Sequence, residues 1–365
     1  MAAHSASNPP WTWVAPGLAL LVLGLKFGGI IPADAIWVLL LVSVLLGAAV
    51  FAAVHHAEIL ALKLGEPFGS ILLAVAVTVI EVGLIVSIML SGSAGSEGVA
   101  RDTVYAAVLI VLNGVIGLSL LAGGRRHHEQ QFQLLGASSA LAVLGTLAAI
   151  TLILPNFTLS ASGPAFSNVQ VLVIGAASLL LWVAFVFTQT IRHRNYFLET
   201  PTVGEAVKIA DRPSQALALA SLVLLLLSLS AVILLAKVLS VPMASAVTAA
   251  GLPKAFVGVI IAAIVLAPES IAAVKSALQN RLQNSINLAV GSAIASIGLT
   301  IPVVAVLSVL MGMKLDLGVS NSAMSLLVLT LFVSTLTLGT GKTTALHGVI
   351  HLVIFAVFLL ISAVP

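Results

Sequence analysis

Apolar residues run along this chain in blocks of about twenty, the length that crosses a bilayer as a helix. Short polar, Gly-containing or Pro-containing breaks separate them and predict eleven spans, at 13–31, 34–56, 67–91, 101–123, 134–154, 168–191, 214–239, 254–278, 284–311, 320–338 and 343–363. The longest polar connection, RHRNYFLETPTVGEAVKIADRPS, begins at Arg192. It divides the chain into an N-terminal segment with the first helix (1–33), five spans (34–191), a central cytoplasmic loop (192–213) and five more spans (214–365). A unit with an odd number of spans makes its successor enter the membrane from the opposite side. The predicted fold class is therefore an all-α integral membrane protein, one helix plus two inverted five-helix repeats.

Composition fits that setting. With 60% hydrophobic and 7% charged residues and a mean hydropathy of +1.22, the chain has too little polar surface to form a soluble globule. Loops after even-numbered spans hold ten of the Lys and Arg residues (Lys63, Arg125, Arg126, Arg192, Arg194, Lys208, Arg212, Lys275, Arg281, Lys342), and loops after odd-numbered spans hold five. Positive charge stays inside, so the N-terminus is expected in the cytoplasm and the C-terminus outside. The net charge of +3 comes from these few loop residues and points to no nucleic-acid partner. Cysteine is absent, which removes disulfides and thiolate chemistry. The start, MAAHSASNPPWTW, lacks the positive region of a signal peptide, and the first apolar run reads as a retained span.

Two acids interrupt the apolar pattern: Glu81 in GSILLAVAVTVIEVGLIVSIML and Glu269 in FVGVIIAAIVLAPESIAAVKSAL. A charge at the centre of a membrane helix costs roughly 2.5 to 3.5 kcal/mol on insertion scales, so it normally faces a polar pathway inside the bundle. Each acid lies on the second span of its five-span unit. The spans that follow share an Asn-x-x-x-Gly element, Asn113 to Gly117 and Asn287 to Gly291, whose members fall on one helix face. A hard cation such as Ca2+ takes six to eight oxygens, and two carboxylates match its charge. Thr78, one turn before Glu81, and Ser292 add hydroxyls, as Asn113 and Asn287 add amides. Pro268 has no N–H to give the carbonyl of Ile264, which frees that oxygen for a ligand. Glu81 and Glu269 are thus the expected cation- and proton-binding residues, with Thr78, Asn113, Asn287, Ser292 and the Ile264 carbonyl as additional candidates.

The segments APES at 267–270, RLQNSINLAVGSAIASIGLTIP at 281–302, and KLGEPFGS with VTVIEV between 63 and 82 resemble the cation/proton exchanger branch of the calcium/cation antiporter superfamily, over roughly residues 34 to 363. Members often carry a Gly-Asn-x-x-Glu-type pattern before the first glutamate, where this chain has Ala76, Val77, Thr78, Val79 and Ile80. The resemblance implies a bacterial inner-membrane antiporter that needs no cofactor and exports Ca2+ against H+. Two bare carboxylates are costly in hydrocarbon, so such a site is filled by a cation or by protons and exchange results. Exchange of Na+ or K+ for H+ by the same architecture, and a passive cation channel, are the alternatives. No enzyme signature appears: GTGKTT at 339–344 lacks the first glycine of a phosphate loop, since position 336 is Leu. His347 and His351, four apart on the last span without a carboxylate, read as packing and hydrogen-bonding residues. His55, His56 and Glu58 read as a solvated cluster at the inner face. The acids Glu199, Glu205 and Asp211 fit no calcium loop.

Overall fold

The computed structural model describes residues 8–32, 35–65, 68–90, 96–199 and 213–365. Glu205, Asp211 and the rest of 200–212 lie outside them. Among the described residues eleven apolar helices follow one another: α1 Trp11–Phe27, α2 Ile36–Leu64, α3 Phe68–Met89, α4 Ser96–His127, α5 Leu134–Phe157, α6 Asn168–Arg192, α7 Gln215–Ala249, α8 Phe256–Leu278, α9 Leu282–Met311, α10 Asn321–Leu338 and α11 Ala345–Ala363. Among the described residues ten are long and apolar enough to cross a membrane, and α1 is shorter at 17 residues.

Several helices overrun the apolar blocks. α2 continues to Leu64, so His55, His56 and Glu58 lie within the helix. His56 is fully buried, with Nε2 3.1 Å from the carbonyl of Thr12, which corrects the expectation of a solvated cluster for that residue, while Glu58 is exposed and His55 half-buried. Its neighbour His55 packs against Trp11 at a tilt of 50°, the ring centroids 6.1 Å apart. α7 runs on past the apolar block to Ala249 and passes through Pro242 without a break, because neighbouring helices can compensate a lost backbone bond in a membrane span. α4 contains a π-helical stretch, Ile110–Val115; a shorter one precedes the final 3-10 turn of α5, and another closes α6.

The packing forms two compact units that do not follow the linear repeat: residues 1–96 with 205–246, and residues 97–204 with 247–365. The first holds α1, α2, α3 and most of α7. Lys63 Nζ donates to the carbonyl of Pro213 at 2.8 Å, and Ser221 Oγ to Asn8 Oδ1 at 3.3 Å. These contacts gather Asn8, the end of α2 and the start of α7 at one end of that unit.

The second unit is built around α4, of whose apolar window 83% is buried, against 22% for α11. Glycines seat its neighbours: a methyl at Gly258 would lie 2.6 Å from the backbone of Asp102, and one at Gly348 would run into the backbone of Leu121. α8 and α11 can therefore lie directly on α4. The loops after α4 and α10 pair as a two-stranded antiparallel ribbon, β1 Glu129–Gln131 with β2 Lys342–Thr344, Gln130 opposite Thr343. At the same end, Gln130 Nε2 donates to the carbonyl of Ala277 at 2.9 Å, and Arg281 meets Glu199 at 3.3 Å. Every loop joined there follows an even-numbered helix. The other end is knit by loops after odd-numbered helices, with Asp316 N donating to Glu97 O at 3.2 Å and Gly318 N to Pro164 O at 2.8 Å. Within this unit the helices thus alternate in direction as a membrane-crossing chain must.

Candidate cation site

Glu81 lies just past the midpoint of α3, Phe68–Met89, and Glu269 just past the midpoint of α8, Phe256–Leu278. The offset from the first residue of the helix is the same in both cases. At 1.5 Å per residue each carboxylate lies about 20 Å along its own helix.

Glu81 is 3% exposed, and Thr78, one turn before it, is 7% exposed. Two positions on, and about 200° round the helix, Gly83 lies against α7: a methyl there would come within 2.7 Å of Ile233 Cγ1. α3 therefore turns its glutamate away from the face it packs on α7. Glu269 is half-buried, as are Ile264 and Pro268 on the same helix. α8 passes through Pro268 without interruption, and Ser270 Oγ donates to the carbonyl of Leu266 at 2.6 Å. Pro268 leaves the Ile264 carbonyl without its usual helical donor.

The two asparagines do not share a depth. Measured from Ser96, Asn113 lies about 25 Å along α4, whereas Asn287, measured from Leu282, lies only about 7.5 Å along α9. Asn113 sits in the π-helical stretch and is fully buried. Its Nδ2 donates to Thr330 Oγ1 at 2.8 Å, and its Oδ1 is 3.1 Å from His351 Nδ1. Asn287 Oδ1 accepts from Gln283 Nε2 at 2.8 Å, and its Nδ2 donates to the carbonyl of Phe197 at 2.6 Å, which ties it to the loop after α6. Ser292 lies between these depths on α9 and is half-buried. Ser296, one turn further along α9 and 4% exposed, comes closer to the depth of Asn113. The spacing of Ser292 and Ser296 on one helix face is the sequence signal for it. The histidines of α11 have separate tasks: His347 Nδ1 accepts from the backbone N–H of Thr344 at 3.2 Å and caps the helix, while His351 joins Asn113. No group of three His, Asp or Glu side chains able to hold a metal occurs among the described residues.

A family model described as sodium/calcium exchanger protein matches residues 34–191 and 220–364. The chain is 55% identical over 362 residues to y4hA of Sinorhizobium fredii (strain NBRC 101917 / NGR234), a protein named only as an ionic transporter, covering 99% of this chain and 98% of that one. It is 33% identical over 349 residues to the sodium-potassium/proton antiporter ChaA of Escherichia coli (strain K12), covering 95% and 94%. Its fold is like that of YfkE, whose structures include one described as a Ca2+/H+ antiporter protein, with a TM-score of 0.73, 18% identity, and coverage of 97% of this chain and 100% of that one.

Proposed function

The chain belongs to the sodium/calcium exchanger protein family and is a membrane cation antiporter, and we propose that it exports Ca2+ from the cytoplasm in exchange for protons bound at Glu81 and Glu269. The observation that carries this reading is the matched pair of carboxylates, one on each of two helices and each at the same offset from its helix start. Together they supply the charge that a divalent cation neutralises. The family resemblance supports their use as one site. When the cation leaves, protons replace it, because two bare carboxylates are too costly to carry through hydrocarbon. Competition between the two fillings suppresses leak and couples the fluxes. The Ile264 carbonyl, Thr78 and Ser292 complete the oxygen set in this reading. Asn113 and Asn287, each with both amide ends already hydrogen-bonded, shape the set and keep one carbonyl lone pair each. The loops after even-numbered helices carry ten of the fifteen Lys and Arg residues in the sequence, and in this reading they are the cytoplasmic ones.

A second reading, exchange of Na+ or K+ for H+, is favoured by the name of the relative that is 33% identical along nearly the whole chain. It is also favoured by the two engaged asparagine amides, which thin the oxygen set that Ca2+ needs. Everted vesicles loaded with a pH-sensitive dye and challenged separately with Ca2+, Na+ and K+ separate the two. Ca2+-dependent proton release supports the first reading, and a response to Na+ or K+ alone replaces it with the second.

A further inference from the structure

A buried polar chain in the seven-helix unit surrounds Asn113. His351 lies on α11 with Nδ1 3.1 Å from Asn113 Oδ1 and Nε2 3.1 Å from Thr337 Oγ1, and Asn113 Nδ2 reaches Thr330 Oγ1 at 2.8 Å. None of the four side chains is more than 1% exposed. Three helices contribute: α4 gives Asn113, α10 gives Thr330 and Thr337, and α11 gives His351. The ring is held against α4 by close backbone approach, since a methyl at Gly117 would come within 3.1 Å of His351 Cβ.

Hydrogen-bond inventory explains what this chain does. A neutral imidazole has one N–H and one bare nitrogen, and a side-chain amide has a donor end and an acceptor end. With the carbonyl of Asn113 toward the ring and its NH2 toward Thr330, Nδ1 carries the proton and donates to Oδ1. Nε2 is then bare and accepts the hydroxyl proton of Thr337. Turning the amide over would set two donors face to face unless the ring changed tautomer. The ring tautomer and the Asn113 amide therefore fix each other, and an amide oxygen with one lone pair taken still has a second to offer. Asn113 belongs to the π-helical stretch of α4, an irregularity that recurs at functional sites, and that stretch packs on α8, the helix of Glu269.

We propose that His351 is a positioning residue for cation exchange: by donating from Nδ1 it fixes the amide of Asn113, and so sets the oxygen that α4 presents beside the helix of Glu269. The proposal rests on the reading of Glu269 as an exchange ligand. A merely structural histidine would need only to fill space between α4 and α11, and its tautomer would be indifferent to Asn113.

Two measurements test it. In protein labelled with 15N-histidine, His351 should appear as the Nδ1–H tautomer, assigned by the signal lost in His351→Asn. The backbone of Leu112 is a second partner of the ring, so Asn113→Leu should shift the Nδ1 signal as Nδ1–H loses Oδ1, whichever tautomer results. An Nε2–H ring in the unmodified protein, or an unchanged Nδ1 signal in the variant, overturns the proposal. In vesicles, His351→Phe should raise the half-saturating cation concentration at least about tenfold at unchanged abundance in the membrane, the scale of leaving a buried amide unpartnered. His351→Asn restores an N–H near the position of Nδ1 and should stay within about threefold of the parent. Equal constants in all three proteins, or equal damage by Phe and Asn, overturns it. If the unmodified protein shows no cation-dependent proton flux, the exchange reading fails instead, and the tautomer measurement decides the positioning claim by itself.

Discussion

Replacing Pro268 by alanine should move stability and function in opposite directions. Pro268 is half-buried in the interior of α8, which runs unbroken from Phe256 to Leu278. A proline at such a place lacks an N–H and crowds the preceding turn, at a cost of about 3 kcal/mol relative to alanine in an exposed helix and less where neighbours compensate. Pro268→Ala should therefore stabilise the protein by about 1 to 3 kcal/mol and raise its unfolding temperature by a few degrees. The new N–H would also reclaim the carbonyl of Ile264. If that oxygen is one of the six to eight that hold Ca2+, its loss should weaken the ion by about 1 to 2 kcal/mol, five- to thirtyfold in apparent affinity. Thermal unfolding of the purified protein gives the first quantity, and the Ca2+ dependence of dye response in everted vesicles gives the second. A more stable variant with parental Ca2+ affinity would refute the role given to Ile264 and reduce Pro268 to a packing feature.

Reporter fusions after Arg126 and after Lys208 should read cytoplasmic and a fusion at Pro365 external; a cytoplasmic C-terminus would overturn the parity of eleven crossings. Gly348→Ala should cost about 1 to 3 kcal/mol, because its methyl meets the backbone of Leu121 and α11 must move off α4; an unfolding temperature equal to the parent's would show that the approach is slack. Glu81→Asp keeps the charge and shortens the reach by one methylene, so it should retain exchange with a raised half-saturating cation concentration, whereas complete loss in the vesicle assay would mean that position, not charge, dominates at Glu81.

The helices were legible because hydrocarbon demands length: a block of about twenty apolar residues has few ways to lie in a bilayer other than across it. The two glutamates were legible for the same reason, as charges where charge is costly. Helix ends were less so. α2 and α7 extend well beyond their apolar blocks, since His56 and Ser240 are buried in packing that a hydropathy pattern does not register. Pairing Asn113 with Asn287 followed a four-residue spacing, and spacing within a helix says nothing of depth along it. The structure sets them about 25 Å and about 7.5 Å along their helices. His351 and Asn113 are 238 residues apart, and their contact depends on Gly117 and Gly348 letting α11 against α4. Neither residue type nor periodicity carries that information. The grouping of α7 with α1 to α3 is likewise a property of packing, not of chain order.

The central claim is that Glu81 and Glu269 carry both the cation and the proton. Purified protein in liposomes with a pH dye inside and an imposed cation gradient tests it most directly, comparing the parent with Glu81→Gln and Glu269→Gln. The amide keeps the size of the side chain and loses its charge and its titratable proton, so each variant should insert at parental abundance and show no cation-dependent proton flux. Near-parental flux in either variant would contradict the claim and remove that glutamate from the exchange site.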